Sequence, residues 1–184
     1  MSFVVVYDAN VLYPNTLRDL LIRIAQAGMV QAKWTNKILD EVFNNLRANR
    51  PELETAALTR TRELMNKAVR DCLVIGYEPL IEAVKLPDAD DRHVLAAAIK
   101  AHAQVIVTNN LSDFPPEALH MWQVDPKSAD HFVLDQISLN AKMVWGCVQR
   151  IADSWRNPPG TTDNVLTSLE RCGLIHSVAE LRTR

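Results

Sequence analysis

The run Phe3-Val4-Val5-Val6 gives way to Tyr7-Asp8-Ala9-Asn10, and this switch from apolar to polar residues constrains the fold more than any other feature of the chain. A short apolar, β-branched run reads as a strand buried on both faces, as in a parallel sheet covered by helices. Open α/β sheets bind ligands in the crevice beyond the carboxyl ends of their strands, so Asp8 stands where a carboxylate is useful for chemistry. An Asx turn leading into the next helix accounts for the same residue equally well.

The rest of the first two-thirds alternates helical and extended patterns. Pro14 opens and Gly28 closes a segment with Leu17, Leu20, Leu21 and Ile24 at helical spacing. Thr35 is positioned to cap a helix whose apolar face is Leu39, Val42, Phe43 and Leu46, with Glu41 flanking that face. A third helix is expected from about Glu52 to Arg70, then a strand at Leu73-Val74-Ile75. Beyond Asp88-Ala89-Asp90-Asp91 a helix with Val94, Leu95, Ala98 and Ile99 inward leads to a strand from Gln104 to Thr108, and another strand is expected around Met121 to Val124. Strands separated by helices imply a mostly parallel sheet in an α/β/α sandwich.

Two further polar segments lie at predicted element ends. Asp88, Asp90 and Asp91 precede a helix, where acids cap free amides and complement the dipole. One of them suffices for that, and Asp91, three residues before Val94, projects toward the core-facing side. His93, two residues past Asp91, falls about 200° away around the helix and reads as a surface or packed histidine. Thr108-Asn109-Asn110-Leu111-Ser112-Asp113-Phe114 is another strand tip, open to reading as a hydrogen-bonded turn or as a site.

Composition excludes some classes. The chain has 184 residues, 48% of them hydrophobic, enough to bury a core as one domain or as a domain with an appendage. It has neither a long apolar run nor the basic-then-apolar start of a signal peptide, so the expected location is cytoplasmic, without membrane contact. Cys72, Cys147 and Cys172 are far apart and lack metal-ligand spacing, which makes them packed thiols. A net charge of -2 does not call for nucleic acid, yet Lys33, Lys37, Arg47, Arg50, Arg60, Arg62, Lys67 and Arg70 crowd one stretch that can bind phosphate locally.

Taken in order, Val6-Tyr7-Asp8-Ala9-Asn10-Val11-Leu12, the helical Glu41, Asp90-Asp91-Arg92-His93-Val94-Leu95-Ala96-Ala97-Ala98 and Val105 to Phe114 resemble the PIN domain. Within that family they are most similar to the VapC-like toxin ribonucleases of bacterial toxin-antitoxin pairs. The resemblance covers about residues 3 to 125. It implies a Rossmann-like sheet whose strand tips gather acids around Mg²⁺ or Mn²⁺ to cut RNA. By motif position Asp8, Glu41 and Asp91 match three of the family's acids. Many relatives carry the fourth directly after a Thr-X pair, where this chain has Asn110; Asp113 is the available carboxylate. The implied set is Asp8, Asp91 and Asp113 as metal ligands and Glu41 as a ligand through water or an orienter of the attacking water. Asn10 and Thr108 would hold the carboxylates in place, Asn110 could ligate through its amide oxygen, and Arg92, Lys37 and Arg47 are candidate phosphate contacts. Such toxins commonly form homodimers and are blocked by a cognate antitoxin protein.

The expected division is a nuclease-like domain over 1–127 and a helical extension over 128–184. In the latter, Ile137, Ala141, Val144, Trp145, Val148, Ile151 and Trp155 form one long apolar stripe, ended by Pro158-Pro159-Gly160. A helix from about Asp163 to Arg171 follows, stopped by Gly173, and Ser177-Val178-Ala179-Glu180 has capping-box form. Two other functions fit parts of the pattern. A haloacid-dehalogenase-type phosphohydrolase would use Asp8 as nucleophile but needs an acid where Asn10 stands. A non-catalytic RNA- or partner-binding module would keep the fold without the chemistry.

Overall fold

A computed structural model describes residues 2–184. β1 (Phe3–Tyr7) is central in a four-stranded sheet of order β2-β1-β3-β4, in which β2 is Val30–Lys33, β3 is Val105–Val107 and β4 is Asp125–Lys127. Every pair is parallel, with Val5 opposite both Ala32 and Val105. The α/β expectation therefore holds, and the sheet is wholly rather than mostly parallel.

The chain runs from β1 to β2 through α1 (Ala9–Leu12) and α2 (Asn15–Gln26), then returns past β1 to β3 through α3 (Asn36–Asn49), α4 (Thr55–Ala68) and α5 (Arg92–Lys100). The direction of winding thus reverses between β1 and β3, which opens a crevice at their carboxyl ends. Tyr7 and Val107 are paired across this point, so the next residues, Asp8 and Thr108, emerge side by side.

Local signals account for most of the boundaries. Thr35 caps α3 by accepting from the Ile38 amide at 3.0 Å, and Gly28 (φ 77°) and Gly173 (φ 97°) take left-handed conformations after α2 and after the helix Thr162–Arg171. Leu73-Val74-Ile75 does not form a strand. Leu73 makes only an isolated bridge to Trp34, and Ile75 is 75% exposed, because β2 ends at Lys33 and leaves no edge long enough to extend. The predicted strand at Met121 to Val124 is displaced: His120–Trp122 is a 3-10 turn after α6 (Pro116–Leu119), and β4 begins at Asp125. Left-handed Gln123 (φ 57°) turns the chain between them.

The C-terminal helices are α7 (Ala129–Ser154), α8 (Thr162–Arg171) and α9 (Ile175–Arg182). The predicted stripe is interrupted at Asn140 (φ -158°, ψ 83°), whose Oδ1 accepts from the Met143 amide at 3.1 Å and restarts the helix. Val144, Cys147, Val148 and Ile151 are fully buried and belong to the same apolar core as Leu17, Leu20 and Ile24 of α2. Ser177 does not cap a helix but lies inside α9. The first turn of α9 is capped from a distance by Asp130, which accepts from the amides of His176 (3.0 Å) and Ser177 (2.8 Å). Those bonds hold the Asp130 carboxyl below the usual range, despite its burial.

Candidate active site

Asp8 is held at the strand tip by a fully buried neighbour. Tyr7 stacks on Trp34 (centroids 6.5 Å apart), meets Phe132 edge-on at 5.9 Å and donates its hydroxyl to the Leu21 carbonyl. The phenol is therefore structural, and burial pushes its pKa far up.

The Asp8 carboxylate is 5% exposed and accepts three hydrogen bonds: from the Ala9 amide to Oδ1 (2.8 Å), and from Asn10 Nδ2 and Thr108 Oγ1 to Oδ2 (both 2.9 Å). The Thr108 hydroxyl also accepts from Asn10 Nδ2 (3.0 Å) and from the Asn110 amide (3.1 Å), so its one proton is committed to Asp8. Asn10 Oδ1 accepts from the Asn109 amide, and Asn109 Oδ1 from the Ala129 amide that begins α7. This chain of bonds stitches the tips of β1 and β3 to each other and to the C-terminal helices. Burial nevertheless raises the Asp8 pKa above the ordinary carboxylate value, against the pull of Thr108 and Ala9.

Asp91 is built differently. It ends a 3-10 turn (Ala89–Asp91) capped by Asp88, which accepts from the Asp90 amide at 2.9 Å, while the Asp91 side chain makes no capping bond at the start of α5. Its pKa is pushed up to about 6, first by desolvation and then by the negative charges of Asp8, Asp113, Asp88 and Glu41. The acids of β1, α3, α5 and the turn after β3 thus feel one another across the crevice. Asp113 closes the 3-10 turn Leu111–Asp113 and is partly buried; Asn110, just before that turn, is exposed and donates its amide to Thr108.

His93 is the packed alternative of the sequence reading, beside a partner that helix periodicity does not predict. It is 2% exposed and its Nε2 lies 2.7 Å from Glu41 Oε1, yet the contact is misaligned and neither ring nitrogen has a hydrogen-bond partner among the described residues. The 200° separation from Asp91 does not keep it from an acid, because Glu41 approaches it from α3. Its charge, when present, favours ionised Asp8.

The basic candidates are dispersed. Lys37 is exposed one turn before Glu41 on α3, Arg47 lies about 240° around that helix from Glu41, and Arg92 donates Nε to the Ala89 carbonyl. Much of the predicted basic face is neutralised locally: Arg62 pairs with Asp40, Arg50 with Glu52 and Arg70 with Asp71.

The donor chemistry suits a hard divalent cation such as Mg²⁺ or Mn²⁺, since every acid in the crevice offers oxygen and their repulsion would be relieved by positive charge. Asp8 has about four acceptor sites, three already used, which leaves it one oxygen contact. Asp91 keeps its full capacity. Among the described residues, however, no three His, Cys, Asp or Glu side chains stand close enough to hold one metal ion together.

The family model for the PIN domain matches residues 4–112, more than half of the chain. The chain belongs to the PIN domain family. Asp8, Glu41 and Asp91 fall inside that match, and Asp113 lies one residue beyond it. The family model for the VapC50 C-terminal domain matches residues 129–183, over α7, α8 and α9. Over 94 residues the PIN protein is 39% identical to "Putative ribonuclease VapC50" of Mycobacterium tuberculosis strain H37Rv, an alignment covering 51% of this chain and 55% of that relative. The chain thus spans about half the length of the curated relative it matches. No solved structure matches it. Family membership and the occupation of Asn10 by the Asp8 network leave no place for the second acid of a haloacid-dehalogenase-type site. No helix among the described residues is long and apolar enough to cross a membrane.

Proposed function

We propose that the protein is a Mg²⁺- or Mn²⁺-dependent endoribonuclease that acts as the toxin of a toxin-antitoxin pair. The reading rests on the Asp91 carboxyl, which makes no capping bond at the start of α5 and whose pKa is pushed up to about 6 by desolvation and then by the charges of Asp8, Asp113, Asp88 and Glu41. An acid kept partly uncompensated at the cost of stability is the signature of a functional position.

Asp91 and Asp8 would hold the metal, with Asp113 completing the set on closure around it. The bound ion supplies charge neutralisation at the phosphodiester and lowers the pKa of its water. Glu41 Oε1 faces His93, which leaves Oε2 to orient an attacking water and accept its proton. The water oxygen bonds to phosphorus as the bond to the leaving ribose oxygen breaks, and that oxygen takes a proton from solvent. Thr108 and Asn10 keep Asp8 in one orientation, so a single oxygen is presented. Lys37 and Arg92 are the phosphate contacts nearest these acids, and Arg47, on another side of α3, is the weakest of the three candidates.

The name of the relative and the match to the VapC50 C-terminal domain support this reading. The partners proposed with it are RNA, a second copy of the chain, and an antitoxin placing a basic side chain among the acids. The test is cleavage of a mixed structured RNA with Mn²⁺, with chelator, and by Asp8→Asn and Asp91→Asn. Loss in the last three samples is expected; cleavage that survives either substitution refutes the assignment. The absence of a three-ligand cluster favours one rival, a binding module without chemistry. Calorimetry that detects no Mn²⁺ uptake, together with no cleavage, would establish that rival.

A further inference from the structure

The exposed side of α3 next to Glu41 is unusual for a helix. It carries Asn44, Asn45 and Asn49 in its last two turns, all exposed. Asparagine is a poor helix former because its side chain competes for backbone hydrogen bonds. Of the three, Asn49 has a visible structural use: its Nδ2 donates to the Tyr13 hydroxyl at 3.2 Å. Among the described residues Asn44 and Asn45 make no side-chain hydrogen bond, so packing does not account for their presence.

Their placement does suggest a use. With about 100° per residue, Asn44 and Asn45 fall within about 60° of Glu41, one turn along the helix, and Lys37 falls about 40° from it one turn earlier. Tyr13 follows α1, which Asp8 caps, and its contact with Asn49 shows that the C-terminal half of α3 runs beside α1. A strip of exposed groups therefore leads from the acids to Tyr13, with a cation at one end, two free amides in the middle and a half-buried phenol ring at the other.

We infer that this strip reads the bases of single-stranded RNA held in the crevice, with Asn44 and Asn45 as specificity-determining residues. The inference rests on the ribonuclease reading above. Each amide offers a donor and an acceptor side by side, the pattern that pairs with a base edge, and sequence is read in RNA where bases are unstacked and splayed onto side chains. A protein partner is a poorer fit, since Tyr13 stands at the end of the strip and its middle holds amides rather than the large anchors that dominate the centre of protein interfaces.

The experiment uses the full chain and a fluorescein-labelled pool of random single-stranded RNA 12-mers. Asp91→Asn, which keeps the strip but lacks the proposed metal ligand, is compared with Asp91→Asn carrying Asn44→Ala and Asn45→Ala, by anisotropy and by sequencing the bound fraction. Cleavage-site sequencing is run in parallel on the unmodified chain and on Asn44→Ala with Asn45→Ala. Expected are at least about fivefold weaker binding, the low end of what one base-edge pair discriminates, and a flattened base preference in both assays. The melting temperature should hold or rise, because Ala favours the helix. Equal affinity and equal preference overturn the inference while leaving the ribonuclease reading intact. RNA that is bound but not cut by the unmodified chain refutes that reading alone, and RNA neither bound nor cut refutes both. A change in sedimentation with unaltered RNA binding would assign the face to self-association and overturn the inference.

Discussion

Asp91→Asn should make the metal-free protein more stable while abolishing the proposed RNA cleavage. The folded Asp91 has a pKa of about 6 against an ordinary 3.8. A group whose folded pKa is raised stabilises the fold below its unfolded pKa, and this contribution is lost as pH rises through the folded value. The loss here occurs between about pH 4 and pH 6. Were Asp91 fully buried, the shift would correspond to about 3 kcal/mol at neutral pH. It is partly exposed, so solvent screening, together with the favourable dipole at the start of α5, leaves about 1 kcal/mol. Asn is nearly isosteric and carries no charge, so the variant should recover that amount at pH 7, a rise of about 2–4 °C in melting temperature for a chain of this size. The assay is calorimetric unfolding of both proteins in chelator from pH 4 to pH 7.5. The curves should converge near pH 4, where Asp91 is neutral. Added Mn²⁺ should then stabilise the unmodified protein and not the variant. A variant that is no more stable at pH 7, or a difference that persists unchanged at pH 4, would refute the claim that repulsion and desolvation are concentrated on Asp91.

Three other substitutions probe the network around it. Thr108→Val removes a hydroxyl that donates to buried Asp8; it should cost about 1–3 kcal/mol in urea unfolding and move the onset of RNA cleavage to higher pH, as the Asp8 carboxyl rises further. Asn110→Asp adds a carboxylate beside the crevice, which calorimetry should register as tighter Mn²⁺ binding and thermal melting as lower metal-free stability. Asp130→Ala removes the acceptor for two amides at the start of α9, and should cost about 1–2 kcal/mol with RNA cleavage unchanged. A loss of cleavage without a loss of stability would contradict the capping role.

How legible each element was depended on how local its cause is. Thr35 bonds an amide three residues away, and Gly28 ends a helix through its own backbone, so α2 and α3 could be read from neighbouring residues. The Leu73–Ile75 strand failed because its formation depends on a partner edge, which ends at Lys33. Ser177 looked like a cap because of its spacing, whereas the actual cap, Asp130, comes from 47 residues away. Helix angle separated His93 from Asp91 and left it a surface or packed residue, and it is packed. Its contact with Glu41 depends on how α3 and α5 approach each other, which helix periodicity does not contain.

The sequence by itself determined the strand that ends at Asp8, the helices that carry Glu41 and Asp91, and the family to which their order belongs. It did so because apolar periodicity, caps and glycine conformations act over a few residues. Only the tertiary structure decided that Thr108 donates its hydroxyl to Asp8, 100 residues away, across the switch point, that Asp88 caps the turn and so leaves Asp91 free, and that the C-terminal helices are tied to the crevice through Asn109. Each of these depends on which strands become neighbours, and parallel pairing brings together residues whose spacing along the chain records nothing of their distance in space.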